Sequence, residues 1–527
     1  MFRKGVLDDE HPHRDQEHSI GMDPENRCSG IFFSVDTAYH RSAIPPNREN
    51  RKIPNPLLPN RGLRRMMSIS PRIRTQSLVA AGAFFLCSPV FAGQPVEFVY
   101  DGKVVVEAHL EKPHDMMTRV SRQRFFYDGE NRARLEWTTW VEGDSTSTTE
   151  TTLLLGDRVL MQGHGRTTWL EPKGDQKDEA RFQVLAGIQP MLIAESQKGE
   201  LLCGRPWKLT IDDVGVLTAA FATFSHPRLG DTGDSLFYGA PAADLPGRPP
   251  RVIKLDYTQR HDQIWLTTKI NTASIPDEKL LKSKLATPPD SMISMGDPLR
   301  ASPPKIEKIA DKIWAIDRND VDSRTLVAET KDGLVVMESA MGSPEGEQLV
   351  DMIKKQWPNQ PIRTFLYSHY HPHYLAGVRP FVAEGATIVT TPGNEAFVKE
   401  IVSRPFKIAP DRLAQSGATL KLETIQDKRY TISDPDNEIV AIDVGKLSLH
   451  TDEFLIFYFP RQKLLFQAEL GWFTQLGQVR PSKRSKGLLA AIDENKLDVE
   501  RIVQSWPVAG NQREMSIKEL RSLAGEK

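Results

Sequence analysis

The chain has 527 residues, with 68 basic against 69 acidic side chains, and 39% of it is hydrophobic. That is room for two to four domains, each with a core of its own. A formal net charge of −1 excludes the broad positive field with which a protein engages nucleic acid or an anionic membrane. Nucleic acid is therefore not an expected partner.

Residues 1–66 contain "EHPHRDQEH" and "IPPNRENRKIPNPLLPNRG" and almost no periodic apolar pattern, which predicts a disordered tail. His11, His13 and His18 in it are expected to be inert. Residues 67–92 have the layout of a secretory signal peptide: basic Arg72 and Arg74, an apolar run from Leu78 to Phe91, and small-residue spacing ending at Ala92. The run is too short for a stable membrane span. Because signal peptides open a chain, translation is expected to start at Met66 or Met67, which makes the preceding residues an over-extended gene start. The exported form would begin near Gly93 and work in the bacterial periplasm or outside the cell. Leu86 precedes Cys87 where a lipoprotein signal has Gly or Ala, which speaks against lipid attachment. Cys28 and Cys87 are lost on processing, so only Cys203 remains of three cysteines. No intrachain disulfide can then form, and the fold must rest on its cores.

Residues 93–285 predict an antiparallel β-rich domain. Apolar and polar residues alternate from Met117 to Gln162, with turn signals at Asp128-Gly129, Glu142-Gly143-Asp144 and Gly156-Asp157. A helix is expected near 178–198, kinked at Pro190, and "RVIKLDYTQ" with "QIWLTTKIN" reads as a later hairpin. The polar, proline-containing segment 286–304 reads as a linker. From 305 the pattern becomes α/β. "GLVVMES", "IRTFLYS" and "EGATIVTTP" read as strands, "SPEGEQLVDMIKKQW" and "NEAFVKEIVSRP" as helices. "DEFLIFYFPRQKLLFQAEL" reads as two strands joined at residues 460–463.

The stretch "YSHYHPHYLAG" sets His369, His371 and His373 at alternate positions after an apolar strand. Alternate residues of extended chain point the same way, so their imidazoles can converge on one ion. The C-terminal ends of strands in open α/β sheets are also where ligands usually bind.

In order and spacing, residues 305–527 resemble the metallo-β-lactamase superfamily. The family hallmark is a strand followed by His-x-His-x-Asp-His. Here "SHYHPHYLAG" supplies His369 and His371, then His373 in place of the Asp and Tyr374 in place of the last His. "GATIVTTPGNEAF" resembles the next strand and helix. "LHTDEFLIFYFPRQKLLFQAEL" puts His450 at the third histidine position and Glu469 at that of a metal-bridging Asp. "WPVAGNQ" resembles the terminal motif, with Ala509 in place of its His. Upstream, "VVMESAMG" has Glu338 where a strand usually ends in Asp. The resemblance implies an α+β fold, an αβ/βα four-layer sandwich preceded by the β-rich domain. It also implies a zinc-dependent hydrolase of an ester, thioester, lactone or amide.

The residues allow less than the family pattern. His369, His371 and His450 complete one zinc site, with Glu469 as a further candidate ligand. A second site would need His373, Tyr374 and Ala509; alanine cannot ligate and a neutral phenol ligates poorly. The expectation is at most one zinc. His373 is left with three roles: fourth ligand, catalytic base beside an activated water, or packing. A hydrolase with one zinc and a catalytically inactive relative that binds a ligand or partner both fit the residues.

Overall fold

The computed structural model describes residues 95–525 apart from 108–110, 142–145, 200, 243–248, 258–262, 268–276, 295–301, 436, 472–481 and 509–511. The tail, the signal segment and Ala509 lie outside the described residues.

The first domain is a twelve-stranded sheet. Long strands Val96–Glu107, Met116–Tyr127, Arg132–Val141 and Ser147–Leu155 pair antiparallel in chain order. The later hairpin Val252–Tyr257 with Gln263–Thr267 joins them on the other side of Val96–Glu107. Helices Gly174–Gly187 and Gln189–Ser196 cover one face, burying Val184, Leu185 and Leu192 against Phe98, Tyr100, Phe125 and Leu135. The expected kink is a full break at Ile188, which leaves helical geometry (φ −126°, ψ 79°), and Pro190 falls in the first turn of the second helix. Its missing N–H is harmless there, because the first turn has no intrahelical acceptor for it. At the far edge Ile293–Ser294 pairs in parallel with Trp169–Leu170. The first sheet therefore takes up part of the segment that reads as a linker.

The second domain has two sheets. In the seven-stranded one, Lys305–Ala310, Ile313–Arg318, Ser323–Thr330 and Gly333–Met337 are antiparallel. Ile362–Leu366, Thr387–Thr390 and Lys421–Thr424 extend it in parallel. Gly333–Met337 is buried along its whole length, which accounts for an unbroken apolar run where an exposed strand would alternate. The six-stranded sheet carries Ile439–Asp443, Leu455–Phe459, Leu464–Gln467 and Arg501–Gln504 at its centre. Met337, Leu366, Phe457, Phe459 and Phe466 fill the space between the sheets. Helices Ser343–Gln356, Arg379–Ala383 and Glu395–Ser403 cover the outside of the first sheet through Val350, Ile353, Phe381 and Val398. Lys483–Glu494 and Ile517–Leu523 cover the second through Leu488, Ile492 and Leu520. Four layers result.

Among the described residues the domains meet through residues 227–231 and through residues 111–114. Asp231 donates its N–H to the Pro405 carbonyl at 2.7 Å, and its carboxylate accepts from the amides of Lys407 and Ile408 at 2.6 and 3.1 Å. At the other contact, the Glu111 carbonyl accepts the amide of Asp452 at 2.9 Å, and His114 lies 2.8 Å from Glu400. From His114 a run of edge-to-face rings continues through Phe397 and Tyr370 to His371.

Candidate metal centre

Three pieces of backbone deliver the site. Strand Ile362–Leu366 ends just before Ser368, and His369 and His371 come off its C-terminal end. His450 stands on the loop between strands Ile439–Asp443 and Leu455–Phe459. That loop is held by a turn in which Ser448 Oγ accepts the amides of His450 and Thr451 at 3.2 and 3.3 Å. Glu469 follows strand Leu464–Gln467.

One ligand atom from each of His369, His371, His450 and Glu469 can be chosen so that all four lie within 4.8 Å of one another. His450 Nε2 is 2.5 Å from Glu469 Oε1 and 3.3 Å from His371 Nδ1. His369 Nε2 is 3.4 Å from the same carboxylate oxygen. The His369 ring is walled by Phe454, stacked at 4.5 Å, and by Tyr374 at 4.4 Å.

These residues fit a zinc ion. His369 Nε2 is fully buried and has no hydrogen-bond partner of proper geometry, as suits a lone pair aimed at an ion. Burial pushes the His369 imidazole down to about 3 and lowers that of His450, against the raising influence of Glu469. Neutral imidazoles are the form that ligates, and three nitrogens with one carboxylate oxygen suit tetrahedral zinc.

Behind the cluster lies a supporting shell. Ser368 Oγ is 3.0 Å from His369 Nδ1, and the Ser368 amide donates to both oxygens of Glu338 at 3.2 and 3.3 Å. Glu338 is fully buried and has φ 74°, a left-handed conformation that a non-glycine residue adopts at a cost. Burial drives its carboxyl well above the usual carboxylate range, the Ser368 hydrogen bonds offset this in part, and the charge of Glu469 adds to it. Glu469 itself is held well below that range: burial opposes ionisation, but His450, His369 and Arg484 outweigh it.

His373 is buried with its ring 5.1 Å from that of Trp506 and 5.9 Å from that of Tyr374. It is not one of the four residues whose ligand atoms converge. Tyr374 is fully buried in the core of the second sheet, and burial together with the charges of Glu469 and Glu338 keeps its phenol protonated.

Sequence reasoning missed Arg484. From helix Lys483–Glu494 its Nη2 donates to His450 Nδ1 at 2.9 Å, and its Nη1 lies 3.5 Å from Glu469 Oε1. A signal was present: Lys483, Arg484 and Lys486 crowd a first turn without an acidic residue, against the positive end of the helix dipole. The helix comes this close because of Gly487, where a Cβ would stand 1.8 Å from the Leu447 carbonyl oxygen. Gly487→Ala is expected to lose about 1–3 kcal/mol by overpacking. Thermal melts check this, and an unchanged midpoint would refute the tight helix–loop contact.

No protein-family model matches the sequence, and no curated protein matches it. Among solved structures the chain is similar to a metallo-β-lactamase from Pontibacter korlensis, at 19% identity over 43% of this chain and 100% of that one, TM-score 0.32. It is similar to the metallo-β-lactamase FIM-1 from Pseudomonas aeruginosa in its mono-zinc form, at 17% identity over 43% and 95%, TM-score 0.32. A third is the inverting sec-alkylsulfatase Pisa1 from Pseudomonas sp., at 15% identity over 42% of this chain and 40% of that one, TM-score 0.31. With two sheets face to face, helices outside both, and histidines gathered at the strand ends, the second domain is a four-layer αβ/βα sandwich with a candidate metal centre at one edge.

Proposed function

We propose that the protein is an exported, metal-dependent hydrolase that uses a single zinc ion on an ester, thioester, lactone or amide bond of a small molecule. The observation that carries this reading is the convergence of His369, His371, His450 and Glu469 within 4.8 Å, with His369 held from behind by Ser368. Held by these residues, zinc would supply Lewis acidity, bringing the proton affinity of a bound water into the neutral range.

The chain's own residues do the rest. Phe454 and Tyr374 wall His369 and keep bulk water from the cluster. Glu469 orients His450 through the 2.5 Å contact. His373, beside Trp506, is the candidate proton acceptor. His373→Ala is expected to lower kcat with metal content unchanged, whereas a role in packing alone would lower the melting temperature and spare kcat.

The other reading is a ligand-binding relative without turnover, and it draws on Arg484, which donates into a prospective ligand. Metal content measured alongside a panel of ester, thioester, lactone and amide substrates decides between them. Turnover abolished by chelator and restored by zinc supports the hydrolase; metal-free, inactive protein supports the binder. Export rests on residues 67–92, and among the described residues no helix is long and apolar enough to cross a membrane. N-terminal sequencing of the mature protein is expected to begin near Gly93, and a Met1 terminus would overturn the export reading.

A further inference from the structure

The Arg484 guanidinium is a donor at every nitrogen and stays charged. Its contact with His450 Nδ1 at 2.9 Å therefore makes that nitrogen an acceptor. The hydrogen of the neutral ring then sits on Nε2, 2.5 Å from Glu469 Oε1. That hydrogen is directed at His371 Nδ1, 3.3 Å away, while Glu469 Oε1 lies beside both neighbours, 2.5 Å from His450 Nε2 and 3.5 Å from Arg484 Nη1. In this arrangement Nε2 has no lone pair to offer an ion.

A metal-binding histidine ordinarily donates its second N–H to an acceptor behind it, which fixes the tautomer that ligates. Behind His369 stands Ser368 Oγ, which can accept. Behind His450 stands a cation that cannot. The guanidinium and a divalent ion thus require opposite tautomers of the same ring, and both draw on the charge of Glu469. Arg484 and Glu469 are each less than a tenth exposed, so solvent screens their interaction little.

We infer that Arg484 is the resident cation of this site: it holds His450 and Glu469 in the metal-free protein and competes with a divalent ion for both. The inference rests on the metal reading above and adds to it a residue that sets the affinity. Metal entry requires the guanidinium to release His450 Nδ1, so that the ring proton can move there from Nε2.

Arg484→Met in the full-length protein tests this with zinc alone. Equilibrium dialysis is expected to show zinc bound about tenfold tighter or more than by the parent, the scale on which outer-shell groups tune metal affinity. In the metal-free state the variant is expected to melt below the parent, because Glu469 has lost its cation. Zinc should then raise its midpoint by more than it raises the parent's. Should Arg484→Met not fold without metal, Arg484→Gln, which keeps an amide donor but no charge, is measured in the same way. Equal or weaker zinc binding by the variants, beside a parent that binds zinc, overturns the competition and leaves the metal reading standing. No zinc binding by the parent or either variant overturns both.

Discussion

Replacing His369 and His450 together by alanine is expected to abolish metal retention. Two of the four converging donors disappear, and zinc needs about three good protein ligands at once. Single outer-shell partners already change metal affinity about 10–100-fold, so loss of two direct ligands is expected to lower it about 10⁴-fold or more. Glu469 and Arg484, 3.5 Å apart in the parent, are both retained in the double variant, so the remaining carboxylate keeps a cation beside it and the domain should stay folded. Elemental analysis after dialysis is the measurement. Metal content equal to the parent's would show that the ion is held elsewhere.

The largest effect on stability is expected from Arg379→Met, outside the histidine cluster. Arg379 is 3% exposed, and its guanidinium bonds both oxygens of Asp411 at 2.6 and 3.0 Å. Its Nη1 also donates to the carbonyls of Ile401, Val402 and Arg404, and the group lies 4.2 Å over the Phe406 ring. Methionine fills much of the volume but leaves a buried carboxylate and three carbonyls without their donor. Breaking one side of such a pair costs about 3–5 kcal/mol, which at 2–4 °C per kcal/mol lowers the melting temperature by roughly 6–20 °C. Burial alone would raise the Asp411 carboxyl; hydrogen bonds from Arg379, Ser343 and the Ala414 amide hold it below its ordinary value. The stability it contributes is therefore complete above about pH 4 and is lost as the pH falls through its folded value. A variant that melts with the parent, or a parent whose stability is flat from pH 5 to acid, would refute this account.

The strands of the second domain were legible because burial writes itself into apolar runs, as in Gly333–Met337 and Leu455–Phe459. His369, His371, His450 and Glu469 were legible because each stands at or near a strand end whose order matched a known pattern. What escaped depends on tertiary approach. Arg484 reaches His450 only because Gly487 lets a helix touch the Leu447 carbonyl, a contact between residues 40 apart in sequence that no periodicity records. The Glu338–Ser368–His369 support links two strands through a backbone amide, and an amide has no sequence signature. The strand Ile293–Ser294 is two residues long, too short for alternation to mark it. The break at Ile188 comes before the proline expected to cause it, because the helix ends to make the next first turn.

The strand Ile293–Ser294 also determines how far apart the halves of the chain can drift. It anchors the chain to the edge of the first sheet, and the next described strand begins at Lys305, so little chain separates the two. A short tether makes docking intramolecular, with an effective concentration on the millimolar scale. The Asp231 and His114 contacts need only be weak, because the partner surface is never diluted away. Cutting the chain once between Ser294 and Lys305 would remove that advantage without touching a single contact. At micromolar protein the two halves would then part, and the rings leading from His114 to His371 would lose their outer end.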